Sequence, residues 1–174
     1  MAESPVQDQA SLGTAEEMDH REGAMDHEVR QGEYIISTDM GRLQPDVIWQ
    51  FLHHESAWAR GIPYEVMSRT LEHSLNFGLY TADGRQIGFA RIITDYGQFA
   101  YLCDVFVLRP YRGRGLGKAL VNAVMHHPAL QGLRRYALDA ADDAHSLYAH
   151  VGFVPLMADS GHMEITRRAT ELWS

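Results

Sequence analysis

LCDVFVLRPYRGRGLGKAL, Leu102 to Leu120, sets an apolar strand, a turn of arginines and glycines and an amphipathic helix in immediate succession. Gly113, Gly115 and Gly117 carry no Cβ to hold a ligand away, so main-chain N–H groups here can approach a phosphate closely. The helix that starts in the turn adds unpaired N–H groups and the positive end of its dipole. Arg112, Arg114 and Lys118 add full charges. The stretch reads as an anion-binding device, and the anion expected is a pyrophosphate.

Two commoner phosphate loops fit poorly. A P-loop has a glycine five residues before its Gly-Lys pair and Ser or Thr after it; Arg112 and Ala119 stand in those places. A dinucleotide fingerprint runs G-x-G-x-x-G, but after Gly113 and Gly115 the last place falls on Lys118. A helix-capping turn with no ligand would explain the glycines but not their alternation with basic residues.

The rest of the chain bounds the answer. Its 174 residues are about one domain, long enough to bury a core without metals or disulfides. Nine acidic residues fall in the first 33 positions, opposed only by Arg21 and Arg30, so −7 of the net charge of −8 lies there. The body is nearly neutral apart from the basic cluster Arg109 to Lys118 and has no basic face for nucleic acid. The lone cysteine, Cys103, sits in an apolar strand and reads as a small buried hydrophobe. No signal-peptide core or membrane-length apolar run is evident, so a cytoplasmic protein with no membrane partner is expected.

Residues 1–31 are polar, acidic and without helical or strand periodicity, which predicts a flexible arm ahead of a single domain over 32–174. The arm could dock on the body or on a neighbouring subunit, which leaves a homodimer among the possible assemblies. His20 and His27 read as surface histidines, and no metal site is expected. Tyr34 to Ser37 reads as a first strand, Pro45 to His54 as a helix and Tyr64 to Ser74 as a second. Phe77 to Thr81 and Ile87 to Thr94 form a hairpin across Asp83-Gly84, and Phe99 to Leu108 is a further strand. After the glycine turn, a helix with Leu116, Ala119, Leu120, Ala123 and Val124 on one face stops before Pro128. Arg134 to Ala140 reads as a strand and Asp143 to Val151 as a helix. Phe153 to Met157 with Met163 to Arg168 read as a closing strand pair. The order predicts an α/β protein with a mixed sheet.

The turn resembles motif A of the GNAT superfamily of acyl-CoA-dependent N-acyltransferases, R/Q-x-x-G-x-G/A, through Arg112, Gly115 and Gly117. Downstream, DAHSLYAHVGF, Asp143 to Phe153, is similar to the superfamily's A-x-x-L-Y-x-x-x-G-F helix, with Ala144, Leu147, Tyr148, Gly152 and Phe153 in place. Where many relatives carry Asn, this chain has Ala141, and Asp142 or Asp143 is the expected substitute for a polar contact to the pantetheine arm. The likeness runs roughly from Gly32 to Arg168. It implies a mixed, mostly antiparallel central sheet (α+β in some schemes), helices on both faces and a splayed central strand pair. It also implies acetyl-CoA as cofactor. Arg112, Gly113, Arg114, Gly115, Leu116, Gly117 and Lys118 would hold its diphosphate, and main-chain groups of Phe106, Val107 and Leu108 would hold the pantetheine arm.

Thioester aminolysis needs an unprotonated amine, stabilisation of the oxyanion and a proton for the departing thiolate. The resemblance puts Tyr148 near the sulfur as general acid and makes the Val107 N–H a donor to the oxyanion. Asp104 interrupts an apolar run, so it either bonds a structural partner or faces a wet cleft. The resemblance to polyamine acetyltransferases favours it for orienting or deprotonating the amine. Asp95 is a second candidate, or a cap for the turn at Tyr96-Gly97. Glu55, Trp58 and Tyr64, with His53, His54 and Arg60, lie where such folds select their substrates and would suit a small amine with an apolar or cationic body. The function expected is transfer of acetyl from acetyl-CoA to a small-molecule primary amine by direct attack in a ternary complex. The alternatives are an acyl-CoA sensor without turnover and a protein or peptide N-terminal acetyltransferase.

Overall fold

The computed structural model describes residues 26–156, 163, 164 and 167–173. Six strands form one sheet in chain order, β1 (Glu28–Gln31), β2 (Tyr34–Ser37), β3 (Leu75–Tyr80), β4 (Gln86–Thr94), β5 (Phe99–Val107) and β6 (Arg135–Ala137). All neighbours are antiparallel except β5 and β6, which run parallel. The mixed, mostly antiparallel sheet expected from the sequence is therefore present.

Helices cover both faces. On one face α3 (Leu116–Met125) seats Leu116, Leu120, Val121, Ala123 and Val124 against Phe77, Ile87, Ile92 and Leu102 of the sheet, with Tyr148 of α4 (His145–Ala149) at the edge. On the other, α1 (Pro45–Gln50) and α2 (Tyr64–Glu72) bury Ile48, Met67 and Leu71 with Phe51 and Leu52 against Phe89 and Phe106. Pro45 starts α1 because its ring fixes a helical φ at a position whose N–H would be unpaired anyway.

Several boundaries differ from those expected. β1 lies at the end of the stretch read as an arm. Glu28, Arg30 and Gln31 are exposed at a sheet edge, so the strand carries no apolar alternation to read. The first helix widens at its end into a π turn, Phe51–Glu55, closed by Ser56 N–H on Phe51 O at 3.0 Å. The strand and helix expected over Arg134 to Ala140 and Asp143 to Val151 are shorter, Arg135–Ala137 and His145–Ala149, the latter after a single 3-10 turn, Asp142–Ala144. Of the expected closing pair, residues 153–156 carry no strand, while 157–162, 165 and 166 lie outside the described residues. A short helix, α5 (Ala169–Leu172), was not foreseen. No helix among the described residues is long and apolar enough to cross a membrane.

The feature that matters for chemistry is how β5 leaves its parallel neighbour. The rungs between β5 and β6 are Phe99 with Arg135, Ala100 with Tyr136 and Tyr101 with Ala137. Beyond them β5 continues to Val107 along β4 alone, so the central pair splays. One side-chain bond crosses the opening, from Tyr101 OH to Asp139 Oδ2 at 2.7 Å.

Candidate active site

Three pieces of the fold meet at the splay: the end of β5, the glycine turn that follows it, and α4. Leu108 N–H donates to Ile87 O of β4 at 2.8 Å. Main-chain groups of successive strand residues point to opposite neighbours, so the Val107 N–H faces the parted side. Its carbonyl does too, and there accepts Arg112 Nε at 2.7 Å, which ties the turn to the strand end. Of the three main-chain positions expected to hold a pantetheine arm, Leu108 is corrected: its N–H is on Ile87 and its carbonyl accepts the N–H of Tyr111 at 2.9 Å. Phe106 pairs with Phe89 of β4 and turns a buried ring into the second core, leaving Val107 as the member of the trio whose main chain faces the opening.

In the turn, Gly113 and Gly115 both hold φ of 76°, a conformation that costs an L-residue roughly 1–2 kcal/mol. Neither would bring an added Cβ within 4 Å of another atom, so the space above them is open. Gly115 is the N-cap of α3, and no side chain caps that end. The first helical bond is Ala119 N–H to Gly115 O at 3.0 Å, so the amides of Leu116, Gly117 and Lys118 point out of the helix end. Gly117 differs from the other two. Its φ is not positive, and an added Cβ would meet Leu147 of α4 at 3.4 Å, an ordinary contact. Leu116 turns its side chain into the core at 2% exposure, so of this residue only the main chain is left at the helix end. Lys118 is exposed, and the Nη groups of Arg112 have no partner among the described residues. Arg114 is folded back onto the body: it donates to Tyr34 OH at 2.8 Å and Pro110 O at 3.3 Å and lies over the Tyr111 ring.

Tyr148 is buried at 9% exposure, with its ring edge-on to Phe153, and burial raises its phenol above the usual value. It therefore keeps its proton through neutral pH. A cavity of about 470 Å³ opens beside it, lined also by Leu138, Ala140, His145 and Phe153, and includes none of residues 112–118. Asp143 is exposed on the 3-10 turn before α4 and does not line this cavity.

Asp104 occupies a β-bulge, where the register of β4 and β5 slips between Phe89 and Arg91, and it holds a φ of 54°. Its Oδ2 accepts Nε of Arg91 at 2.8 Å and forms an ion pair with Nη2 at 2.7 Å, and its Oδ1 accepts Trp58 Nε1 at 3.0 Å. Arg91 Nη1 donates to Ser74 Oγ at 3.0 Å. Of the two readings left open for Asp104, bonding to a structural partner is the one observed. In its neighbour Cys103, burial, reinforced by the Asp104 carboxylate, pushes the thiol up to about 12, which favours the protonated form, and Sγ donates to Arg91 O at 3.5 Å.

The structure brings Trp58 to Asp104 but leaves the other expected substrate residues apart. Tyr64 packs edge-on to Trp49, within a group that includes His53 and His54, and Glu55 is exposed in the π turn with no partner among the described residues. Asp95 is a turn cap. Its Oδ1 accepts the N–H groups of Gly97, Gln98 and Phe99, which lower its carboxyl to about 2. Arg91, Ser74 and Tyr34 escaped the sequence reading. A signal existed for Arg91, the one charge in the apolar run of β4 and facing the one charge in β5. Among the described residues no cluster could hold a metal ion.

A family model described as the acetyltransferase (GNAT) family matches residues 46–153. A Gibberella zeae protein assigned as an acetyltransferase is 32% identical over 143 residues, 70% of this chain and 80% of that one. A Xanthomonas campestris crystal structure assigned to the GNAT acetyltransferases is 46% identical, with a TM-score of 0.75 over 80% of this chain and 97% of that one. AAC(6')-Iy, solved in complex with the bisubstrate analogue CoA-S-monomethyl-acetylneamine, shares the fold at 24% identity and a TM-score of 0.50, over 70% of this chain and 90% of that one. The chain belongs to the GNAT acetyltransferase family and is an acyltransferase.

Proposed function

We propose that the protein transfers an acetyl group from acetyl-CoA to the primary amine of a small molecule by direct attack in a ternary complex. The observation that carries this is the uncapped start of α3, with left-handed Gly113 and Gly115 under open space, next to strands that part. An anion with several oxygens and little bulk fits that end, as the diphosphate of coenzyme A does. The cofactor supplies an acyl group activated toward amines. Amides of residues 113–118, with Arg112 and Lys118, would hold the diphosphate, while Arg114 braces the turn against Tyr34 and adds charge. The Val107 N–H would donate to the carbonyl oxygen as negative charge develops on it. Tyr148, protonated by virtue of its burial, would give a proton to the departing sulfur. Direct attack is favoured over an acyl-enzyme because Cys103 is partly buried in β5 with its thiol raised and bonded to Arg91 O.

Two measurements on the full chain test this reading. Calorimetry should detect coenzyme A binding, and acetyl-CoA with a panel of small amines should release free thiol above background. Binding without release to any amine would indicate a sensor instead, and absence of binding would remove the proposal.

A further inference from the structure

We propose that the amine acceptor is a monoamine with a flat apolar body that rests on the Trp58 indole, with Asp104 and Arg91 as positioning residues for that indole. The inference rests on the acetyltransferase reading above and adds the substrate class. A bare carboxylate beside an amine site would select cations, and several charges would be better than one. Asp104 is not bare. Both its oxygens are engaged, and the Arg91 guanidinium lies 2.7 Å from Oδ2. The pair is buried to about a tenth of its exposure on either side, 11% and 10%, and Ser74 takes a further Arg91 donor. An arriving cation meets a carboxylate whose charge the adjacent guanidinium already offsets.

The backbone asks why an aspartate is there at all. A residue at φ 54° in a bulge would be less strained as glycine, so this side chain is kept against a conformational cost. Its link outside the strands is Trp58 Nε1, which it holds at 3.0 Å. Trp58 nevertheless leaves 51% of its surface open, on the loop that leaves the π turn. From it an aromatic path runs inward: Phe51 at 6.2 Å, then Phe106 stacked on Phe51 at 3.9 Å with planes 11° apart. Phe106 immediately precedes Val107, whose N–H faces the splay. A large indole fixed by a buried ion pair, half open and joined by aromatic rings to the strand end, is a platform for an apolar body.

The test uses the full chain with acetyl-CoA and four amines, phenylethylamine and tryptamine against putrescine and spermidine. We expect kcat/KM for the aryl amines to exceed that for the polyamines about tenfold or more. Trp58→Ala should raise the aryl-amine KM about three- to tenfold, the worth of one aromatic contact, with kcat nearly constant. Trp58→Phe should recover much of that loss, and Arg91→Lys should shift KM the same way by less. Polyamines preferred over aryl amines, or an aryl-amine KM indifferent to Trp58→Ala, would overturn the inference while leaving the acetyltransferase reading intact. Calorimetry of each amine with coenzyme A present separates the two ideas. If no amine releases thiol but phenylethylamine still binds in a Trp58-dependent way, the platform stands and the transfer reading falls. If neither class binds, the platform falls.

Discussion

Gly113 and Asp104 both hold positive φ, 76° and 54°, and their surroundings are opposites. Around Gly113 nothing lies within 4 Å of where a side chain would begin, and the neighbouring amides at the start of α3 are uncapped. Around Asp104 every hydrogen-bonding oxygen is taken, by Arg91 and Trp58. Tyr96, at φ 55°, belongs with the second case, since the adjacent Asp95 gathers three amides of its own turn. A left-handed residue thus serves two ends in this protein. Glycine leaves the amides beside it uncapped under open space, whereas aspartate at the bulge spends its charge inside the fold to fix a neighbour.

The contrast can be broken most sharply at Asp104. Asp104→Ala strands a buried guanidinium and should destabilise the fold by about 3–5 kcal/mol in urea denaturation. Asp104→Gly removes the same charge but relieves the backbone, and should be the milder variant by about 1 kcal/mol. A loss well under 1 kcal/mol in both would mean the pair is not what holds the bulge. At the turn, Gly115→Val puts a β-branched side chain at φ 76° and into the open space. Its coenzyme A affinity should fall by about a hundredfold in calorimetry, more than its stability suffers.

Tyr148→Phe should lower kcat by about tenfold while coenzyme A affinity stays within about twofold. The effect is modest because a thiol leaves more readily than its phenol donor gives up a proton. For Asp95 the folded carboxyl sits near 2 against an ordinary 3.8, so its contribution is present above about 3.8 and fades as pH falls toward 2. Protection factors at Gly97, Gln98 and Phe99, taken against the intrinsic exchange rate at each pH, should fall over that window, and in Asp95→Asn the pH step should vanish. The smallest change is expected at Gly117, whose φ is not positive. Gly117→Ala should stabilise α3 by up to about 1 kcal/mol and leave coenzyme A affinity within about twofold. A large loss of affinity there would show that all three glycines, and not two, serve the anion.

Much of this architecture could be read in advance where the signal is local. The strand, turn and helix from Phe99 to Met125 came from an apolar run, a cluster of glycines and a 3.6-residue stripe. Each of these needs only neighbours in the chain. β1 was missed because an exposed edge strand of Glu28, Val29, Arg30 and Gln31 has no apolar face to show. The π turn was missed because Phe51 and Leu52 continue the helical stripe, and only the bond from Ser56 to Phe51 reveals the wider turn. Among site residues, Trp58 was expected near the amine and does meet Asp104, whereas Tyr64 joins Trp49 and the Leu108 main chain is used up by Ile87 and Tyr111.

By itself the sequence determined a glycine turn that opens a helix between Arg112 and Lys118, and a tyrosine helix downstream of it. Those properties reside in contiguous residues and in the peptide groups that any helix leaves unpaired. Only the tertiary structure decided that Val107 faces the opening, that Arg114 braces on Tyr34, and that Arg91 neutralises Asp104 and through it holds Trp58. Each of these depends on strand register, where a slip of one residue turns every side chain to the other face, and the bulge at Asp104 is such a slip.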